Sequence, residues 1–517
     1  MEIEDILMDK SSNNKRIAKN TGFLYLRMLF SMAISLYTSR VVLDVLGVSD
    51  YGVYNVVGGV VAMFTFLNSS MAGATSRFIT YELGTEYSGN LKKIFNSAML
   101  VHIFIALLIV LVAETFGLWF LNNKLVIAPE SRYAAQWVYQ LSILTTVVSL
   151  TQVPYNASII AHERMSVFAF LDMGFTVLRL LIVYLLLVLT GNKLILYAIL
   201  TTIVSIMSAM AYRLYCIRNF SYCRLSIKKT NKDYLKSMLT FSGWDLFGNL
   251  SIMGRTQGVS MLANMFFGTI ANASMGIASQ VQGAITRFAT NVTTAIKPQI
   301  IKSYAAKDYN YMSQLLFRGS KYAFLIIYIL ALPVLIETPF ILNVWLKTVP
   351  EYTVWICRLT LCFSLFSNVS GVLVTGVHAT GDIKGPSLIN GSLYLSVVPI
   401  SYFAYRAGAS VYLPFILNAL FVFFGALANF FYTKHYVRAL SFRDFFIQVI
   451  LRCLLVVVLS AAIPIMLVLW LPEGWMRFLI VATISVLMTT ITTYFIALAS
   501  SERQFVVDLL MKLFKRK

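Results

Sequence analysis

Residues 166–190 read SVFAFLDMGFTVLRLLIVYLLLVLT, a run in which only Asp172 and Arg179 are charged. A helix of this length reaches about 38 Å at 1.5 Å per residue, more than a hydrocarbon core about 30 Å thick requires. Lipid offers a backbone no hydrogen-bond partner, so a continuous apolar run there is helical. The segment has many counterparts. Comparable runs occupy 17–43, 51–80, 92–121, 133–160, 193–217, 238–266, 270–298, 315–346, 353–378, 385–406, 409–434, 444–471 and 476–499. With 166–190 they make fourteen spans. The alternating pattern of an outer-membrane barrel is absent, so the expected fold is an all-α polytopic membrane protein.

Composition points the same way. Of 517 residues, 58% are hydrophobic and 12% charged, where soluble globular domains carry about 25% charged residues. The net charge of +20 lies between apolar spans rather than across a polar domain, so nucleic acid is not an expected partner. Thirty of the 42 Lys and Arg residues fall in one alternate set of loops and eight in the other. The richer side is cytoplasmic by the positive-inside rule, and an even span count places both termini there. The first 20 residues are polar and mixed in charge, so no removable signal peptide is expected. Five cysteines without CxxC spacing and four scattered histidines give no metal site, disulfide framework or cofactor signature.

The chain also repeats itself weakly. At an offset of 221, Gly47 maps onto Gly268, Tyr54 onto Met275 and Ile79 onto Ile300; at 219, Tyr133 maps onto Tyr352 and Glu163 onto Asp382. Repeats of this kind define architecture. Spans 1–6 (1–217) and 7–12 (238–437) read as two like-oriented lobes related by a pseudo-two-fold along the membrane normal, joined by a basic linker at 218–237. Spans 13–14 and a basic tail (438–517) follow. Transporters with such lobes bind substrate between them and alternate access.

Four arginines, Arg27, Arg179, Arg255 and Arg287, fall inside spans. An Arg at the bilayer centre costs about 2.5–3.5 kcal/mol on insertion scales, so it needs water, a partner or a ligand. Arg27 lies with Asn20, Ser31 and Thr38 on one stripe of span 1, and Arg287 with Gln280, Asn291 and Thr294 on one stripe of span 8. Neither stripe carries an acid. Arg255 shares span 7 with Asp245 and Asn249. The reading is a shared, wet, cationic cavity lined by spans 1, 2, 7 and 8, in which Arg27, Arg255, Arg287, Asn249, Asn291 and Gln280 bind an anion, guanidinium suiting phosphate oxygens. The competing reading is structural: Arg27 or Arg255 pairs with Asp245, and Asp172 with Arg179 seven residues on, as gating or neutralising ion pairs.

Three stretches carry a resemblance. The run Gly47-Val-Ser-Asp-Tyr-Gly-Val-Tyr after span 1, Val153-Pro-Tyr-Asn-Ala-Ser-Ile-Ile-Ala-His-Glu-Arg164 closing span 4, and Gly376-Val-His-Ala-Thr-Gly-Asp382 closing span 10 resemble polysaccharide-biosynthesis flippases. These are the O-antigen and capsule exporters of the multidrug/oligosaccharidyl-lipid/polysaccharide superfamily. The resemblance implies a bacterial inner-membrane protein, not an enzyme, that moves undecaprenyl-pyrophosphate-linked oligosaccharide from the cytoplasmic to the periplasmic leaflet, with H+ or Na+ as coupling ion. Related lipid II flippases carry essential arginines in their first and eighth spans, where Arg27 and Arg287 stand here. Two alternatives compete. A drug/cation antiporter of the same fold would need cavity carboxylates, and span 1 offers Arg27 with no mid-span acid; a membrane polysaccharide polymerase would need a sizeable outward loop, and those loops are short.

Overall fold

Helix formation follows the apolar spans closely, and the departures from it are informative. The computed structural model describes residues 2–62, 65–85, 89–123, 129–226, 230–346, 349–500, 502–504, 507 and 511. Residues 63–64 of the second expected span, 227–229 of the linker and most of the tail beyond 504 lie outside the described residues. In chain order the long helices are α1 (Glu2–Ala62), α2 (Thr65–Leu83), α3 (Leu91–Asn123), α4 (Arg132–Ala161), α5 (Met165–Val188), α6 (Lys193–Asn219) and α7 (Lys232–Ala305). They continue with α8 (Tyr309–Ile336), the short α9 (Thr338–Trp345), α10 (Thr353–Thr380), α11 (Lys384–Arg406), α12 (Leu413–Tyr436), α13 (Phe442–Trp470) and α14 (Trp475–Ala497).

Ten of these helices are long and apolar enough to cross a membrane: α3 to α6, α8 and α10 to α14. They cover ten of the fourteen expected spans. The other four fall in α1, α2 and α7, and of these α1 and α7 carry the polar stripes. There the chain needs no loop between consecutive spans. A single residue breaks α1, Gly47 at φ 75° and ψ 167°, and a single residue breaks α7, Gly268 at φ 73° and ψ −168°. That region is open essentially to glycine alone, so one residue redirects a helix that any side chain would have kept straight. The two glycines stand 221 positions apart, the offset of the sequence repeat.

The chain divides into two compact units, Met1–Leu246 and Phe247–Lys517, with the division inside α7. In the first, α4 packs against α2, α3 and α6, while α1 packs along α5. In the second, α10 packs against α8 and α12, and α11 against α12. The α3/α4, α4/α6 and α5/α6 contacts of the first unit therefore recur as α8/α10, α10/α12 and α11/α12 in the second. The repeat is one of packing as well as of residues.

Local chemistry sets each helix in place. In unit 1 the Tyr139 hydroxyl is fully buried and donates to the Ala113 carbonyl at 2.7 Å. That carbonyl begins a wide π turn at Ala113–Gly117, which frees it from its usual helical partner. Gly117 makes the contact possible, since a Cβ there would lie 2.1 Å from the Tyr139 oxygen. In unit 2 the helices α13 and α14 are fastened to α8 along its length. Arg477 forks onto Glu337 at 2.9 and 2.8 Å, the Tyr328 hydroxyl reaches the Val457 carbonyl at 3.1 Å, and Lys321 meets Glu502 at 2.9 Å. The last two spans are thus integral to unit 2.

Candidate functional site

Arg27 projects from α1 toward α5. Its Nη1 lies 3.3 Å from Asp172 Oδ2, and its guanidinium sits over the Phe168 ring at 4.8 Å from the centroid. Both charged side chains stay partly open, at 26% and 40% exposure. The stripe of Arg27 carries no acid of its own; its partner comes from the neighbouring helix, 145 residues away. The competing reading offered Asp172 to Arg179 instead. Asp172 faces α1, whereas Arg179 is exposed and makes no ion pair among the described residues. Arg27 Nε is buried and makes no hydrogen bond among the described residues, so the cation keeps donors that Asp172 does not use.

Arg255 is in a different setting. It is buried at 8% exposure, with its guanidinium 5.4 Å from the Phe363 ring centre on α10 and 4.7 Å from that of Tyr394 on α11. Its Nη1 is buried without a hydrogen bond, and no carboxylate pairs with it among the described residues. Small residues bring α7 close enough to α11 for this contact. A Cβ on Gly254 would meet Leu395 at 3.3 Å, and one on Gly258 would meet Val398 at 2.7 Å. Aromatic faces attract a guanidinium through their quadrupole but accept no strong hydrogen bond from it, so Arg255 is held in place without being neutralised.

Arg287, past the Gly268 break, is exposed and makes no ion pair or hydrogen bond among the described residues. Its helix is two-faced: Ala278, Ile285, Ala289, Val292 and Ile296 are buried, while Gln280, Arg287 and Thr290 are exposed. Asn291 is buried beside that polar face, and neighbouring Gln282 donates to the Ser364 hydroxyl at 2.9 Å. A polar, cationic face turned away from its own unit's core suits water or an anion and is disfavoured in lipid. Asn249 is half-buried, and Asp245 is directed at α2, where a Cβ on Gly73 would lie 3.8 Å from its carboxylate.

The repeat shows what distinguishes the two units. At an offset of 219, Asp172 maps onto Gly391. In unit 2 that glycine admits the Phe247 ring and the Ser251 hydroxyl, which a Cβ would meet at 2.4 and 2.9 Å. The interface that is a charge pair in unit 1 is thus closed without charge in unit 2. Reading the sequence missed Phe168, Phe363 and Tyr394. No signal marks them, because aromatic residues are common throughout the spans; the Asp172/Gly391 correspondence was the one available clue.

Comparison with known proteins follows the fold. No family model matches the chain, and no curated protein matches its sequence. Among solved structures the chain is similar to a MATE transporter in the bent conformation (TM-score 0.72, 12% identity, 83% of this chain and 96% of that one). It is also similar to the outward-facing conformation of a multidrug resistance MATE transporter of the MOP superfamily (TM-score 0.69, 13% identity, 82% and 97%). A third is a MOP superfamily transporter from Pyrococcus furiosus, whose binding pocket is described as having reverse polarity that suggests a different function (TM-score 0.68, 12% identity, 82% and 96%). The fold is that of MATE transporters, nearly all helical and two-lobed.

Proposed function

We propose that the chain is a membrane transporter for lipid-linked anions: a flippase that carries undecaprenyl-pyrophosphate-linked oligosaccharide from the cytoplasmic to the periplasmic leaflet of a bacterial inner membrane by alternating access. The observation that carries the reading is Arg255, a buried guanidinium in a segment expected to span the membrane, with no carboxylate partner among the described residues. An uncompensated buried charge costs several kcal/mol after relaxation, a cost that a ligand of opposite sign offsets. Arg287 adds a second cation, exposed and unpaired among the described residues, on the same broken helix. Gln280, Asn249 and Asn291 supply neutral donors suited to sugar hydroxyls.

A diphosphate cannot shed its hydration in hydrocarbon. Fixed guanidinium donors replace that water with charge-assisted hydrogen bonds, and translocation then needs no covalent chemistry. The fold is shared with multidrug transporters, yet a site for cationic drugs requires free carboxylates. In unit 1 Asp172 is paired with Arg27, and the remaining span arginines bring charge of the wrong sign for such a drug. The solved relative with reverse pocket polarity suggests that this fold accommodates such an inversion.

The test is complementation. In a strain deleted for the gene, Arg255→Ala and Arg287→Ala proteins insert into the membrane at wild-type levels and fail to restore surface polysaccharide. Normal surface glycan in both mutants overturns the assignment, as does restored resistance to cationic drugs with no change in glycan.

A further inference from the structure

We infer that unit 2 holds a binding site for the phosphate of an anionic phospholipid, formed where α13 and the end of α14 meet α8, with Arg318 and Arg452 as the groups that bind it. The inference concerns the lipid around the protein rather than its cargo, so it stands apart from the functional reading above.

Four cations converge there on one acid among the described residues. Glu502 accepts from Arg318 Nε at 3.3 Å and from Lys321 Nζ at 2.9 Å, and also takes the Ala499 N–H at 2.8 Å. The carbonyls at the end of α14 take the rest. Ala497 accepts from Lys321 at 2.8 Å and from Arg452 at 3.3 Å, Leu498 accepts from Arg503 at 3.2 Å, and Phe495 accepts from Arg503 too. A helix C-terminus carries only about half a negative charge, so the cluster keeps an excess of positive charge among the described residues. Lys321 is closed in, at 6% exposure. Arg318 and Arg452 are half-buried, and each makes a single polar contact among the described residues. Their remaining nitrogens are not buried and are free to donate. Fastening these helices needs no such excess: at the opposite ends of α8 and α14, Glu337 and Arg477 do it with one charge of each sign.

The depth of the cluster fits a headgroup. From Arg477 to Ala497 α14 rises about 30 Å, from Lys321 to Glu337 α8 rises about 24 Å, and from Arg452 to Trp470 α13 rises about 27 Å. These lengths match a hydrocarbon core about 30 Å thick. Trp470 and Trp475 are exposed at the far end, where aromatic residues mark a membrane interface, so the cations lie at the other interface. Between the two, α13 exposes Leu454, Val458 and Leu459, and α14 exposes Ile491 and Phe495. An acyl chain thus finds an apolar surface that begins at the cations. A free phosphate gains nothing from that surface, so the ligand that fits is a phosphate carried on a lipid. Guanidinium groups suit phosphate oxygens through charge-assisted hydrogen bonds. A headgroup of net negative charge answers the excess of cations, whereas a zwitterionic one brings an ammonium against it.

Phosphatidylglycerol serves as the probe, added to the purified full chain in neutral detergent, with the first bound lipid measured by native mass spectrometry. Wild-type protein is expected to bind it more tightly than phosphatidylethanolamine. An arginine at a membrane surface contributes about fivefold, so Arg318→Gln/Arg452→Gln should weaken phosphatidylglycerol binding about 25-fold. Arg218→Gln/Arg224→Gln removes the same charge from exposed positions at and after the end of α6 and should leave binding unchanged. If the first double mutant fails to insert, Arg452→Gln alone is read instead, with a loss of about fivefold. Equal weakening in the two double mutants overturns the inference, since general surface charge then holds the lipid. Equal binding of phosphatidylglycerol and phosphatidylethanolamine to wild-type protein overturns it as well. So does displacement of the lipid by an equal concentration of glycerol 1-phosphate, which makes the ligand a free phosphate.

Discussion

Arg255→Met is the most discriminating substitution. Methionine keeps most of the unbranched stem and its contact with Phe363 and Tyr394, but removes the charge. In the native protein two ring contacts at 5.4 and 4.7 Å stabilise the guanidinium, each worth about 0.5–2 kcal/mol. Against them stand a buried Nη1 without a hydrogen bond, costing about 1–3 kcal/mol, and the desolvation of the ion itself, several kcal/mol more. The balance favours the neutral side chain. The mutant should therefore be more stable, by about 1–3 kcal/mol, which thermal unfolding in detergent detects as a higher midpoint. Its affinity for farnesyl diphosphate should fall by about tenfold or more, because a charge-assisted hydrogen bond contributes about 1.5–3 kcal/mol. A lower unfolding midpoint with unchanged affinity would refute the reasoning and make Arg255 a structural residue.

Three further outcomes are expected. Glu337→Gln removes the buried partner of the half-buried Arg477 and should cost up to about 3–5 kcal/mol, read as a lowered unfolding midpoint; an unchanged midpoint means the pair does not fasten α14 to α8. Gly391→Ala places a Cβ 2.4 Å from the Phe247 ring, and overpacking of this kind costs about 1–3 kcal/mol, whereas a wild-type melting curve would show that α7 and α11 are not in close contact. Asp382, exposed in the turn after α10, accepts hydrogen bonds from the Tyr432 and Tyr436 hydroxyls at 2.7 and 2.8 Å, and the first of these chiefly holds its carboxyl below the ordinary range. A depressed carboxylate stabilises the fold above its unfolded value of about 3.9 and loses that contribution as pH falls through the folded value. Asp382→Asn should then unfold more easily than wild type near neutral pH and match it in strong acid; a constant difference across pH contradicts this.

The membrane class, ten of the spans and the place of the repeat were legible because each rests on local residues. An apolar run must be helical in lipid whatever surrounds it, and Gly47 and Gly268 mark the two breaks at matching positions. The span arginines were equally visible, as charge in an apolar run stands out. Their partners were not. Asp172 lies far along the chain from Arg27, and nothing in either stretch says that α1 runs beside α5. On the same helix, Arg179 was the nearer candidate by sequence, yet Asp172 is presented to Arg27 on α1.

Residue order alone thus determines that this chain lies in a bilayer, that it is built from two copies of one design, and that it keeps four cations where lipid penalises them. Only the folded arrangement decides what each cation is: one shared with a carboxylate, one held between aromatic rings, two unpaired among the described residues. The reason is physical. Insertion into lipid depends on the composition of a contiguous stretch, whereas neutralising a charge depends on which distant side chain packing brings within about 4 Å of it.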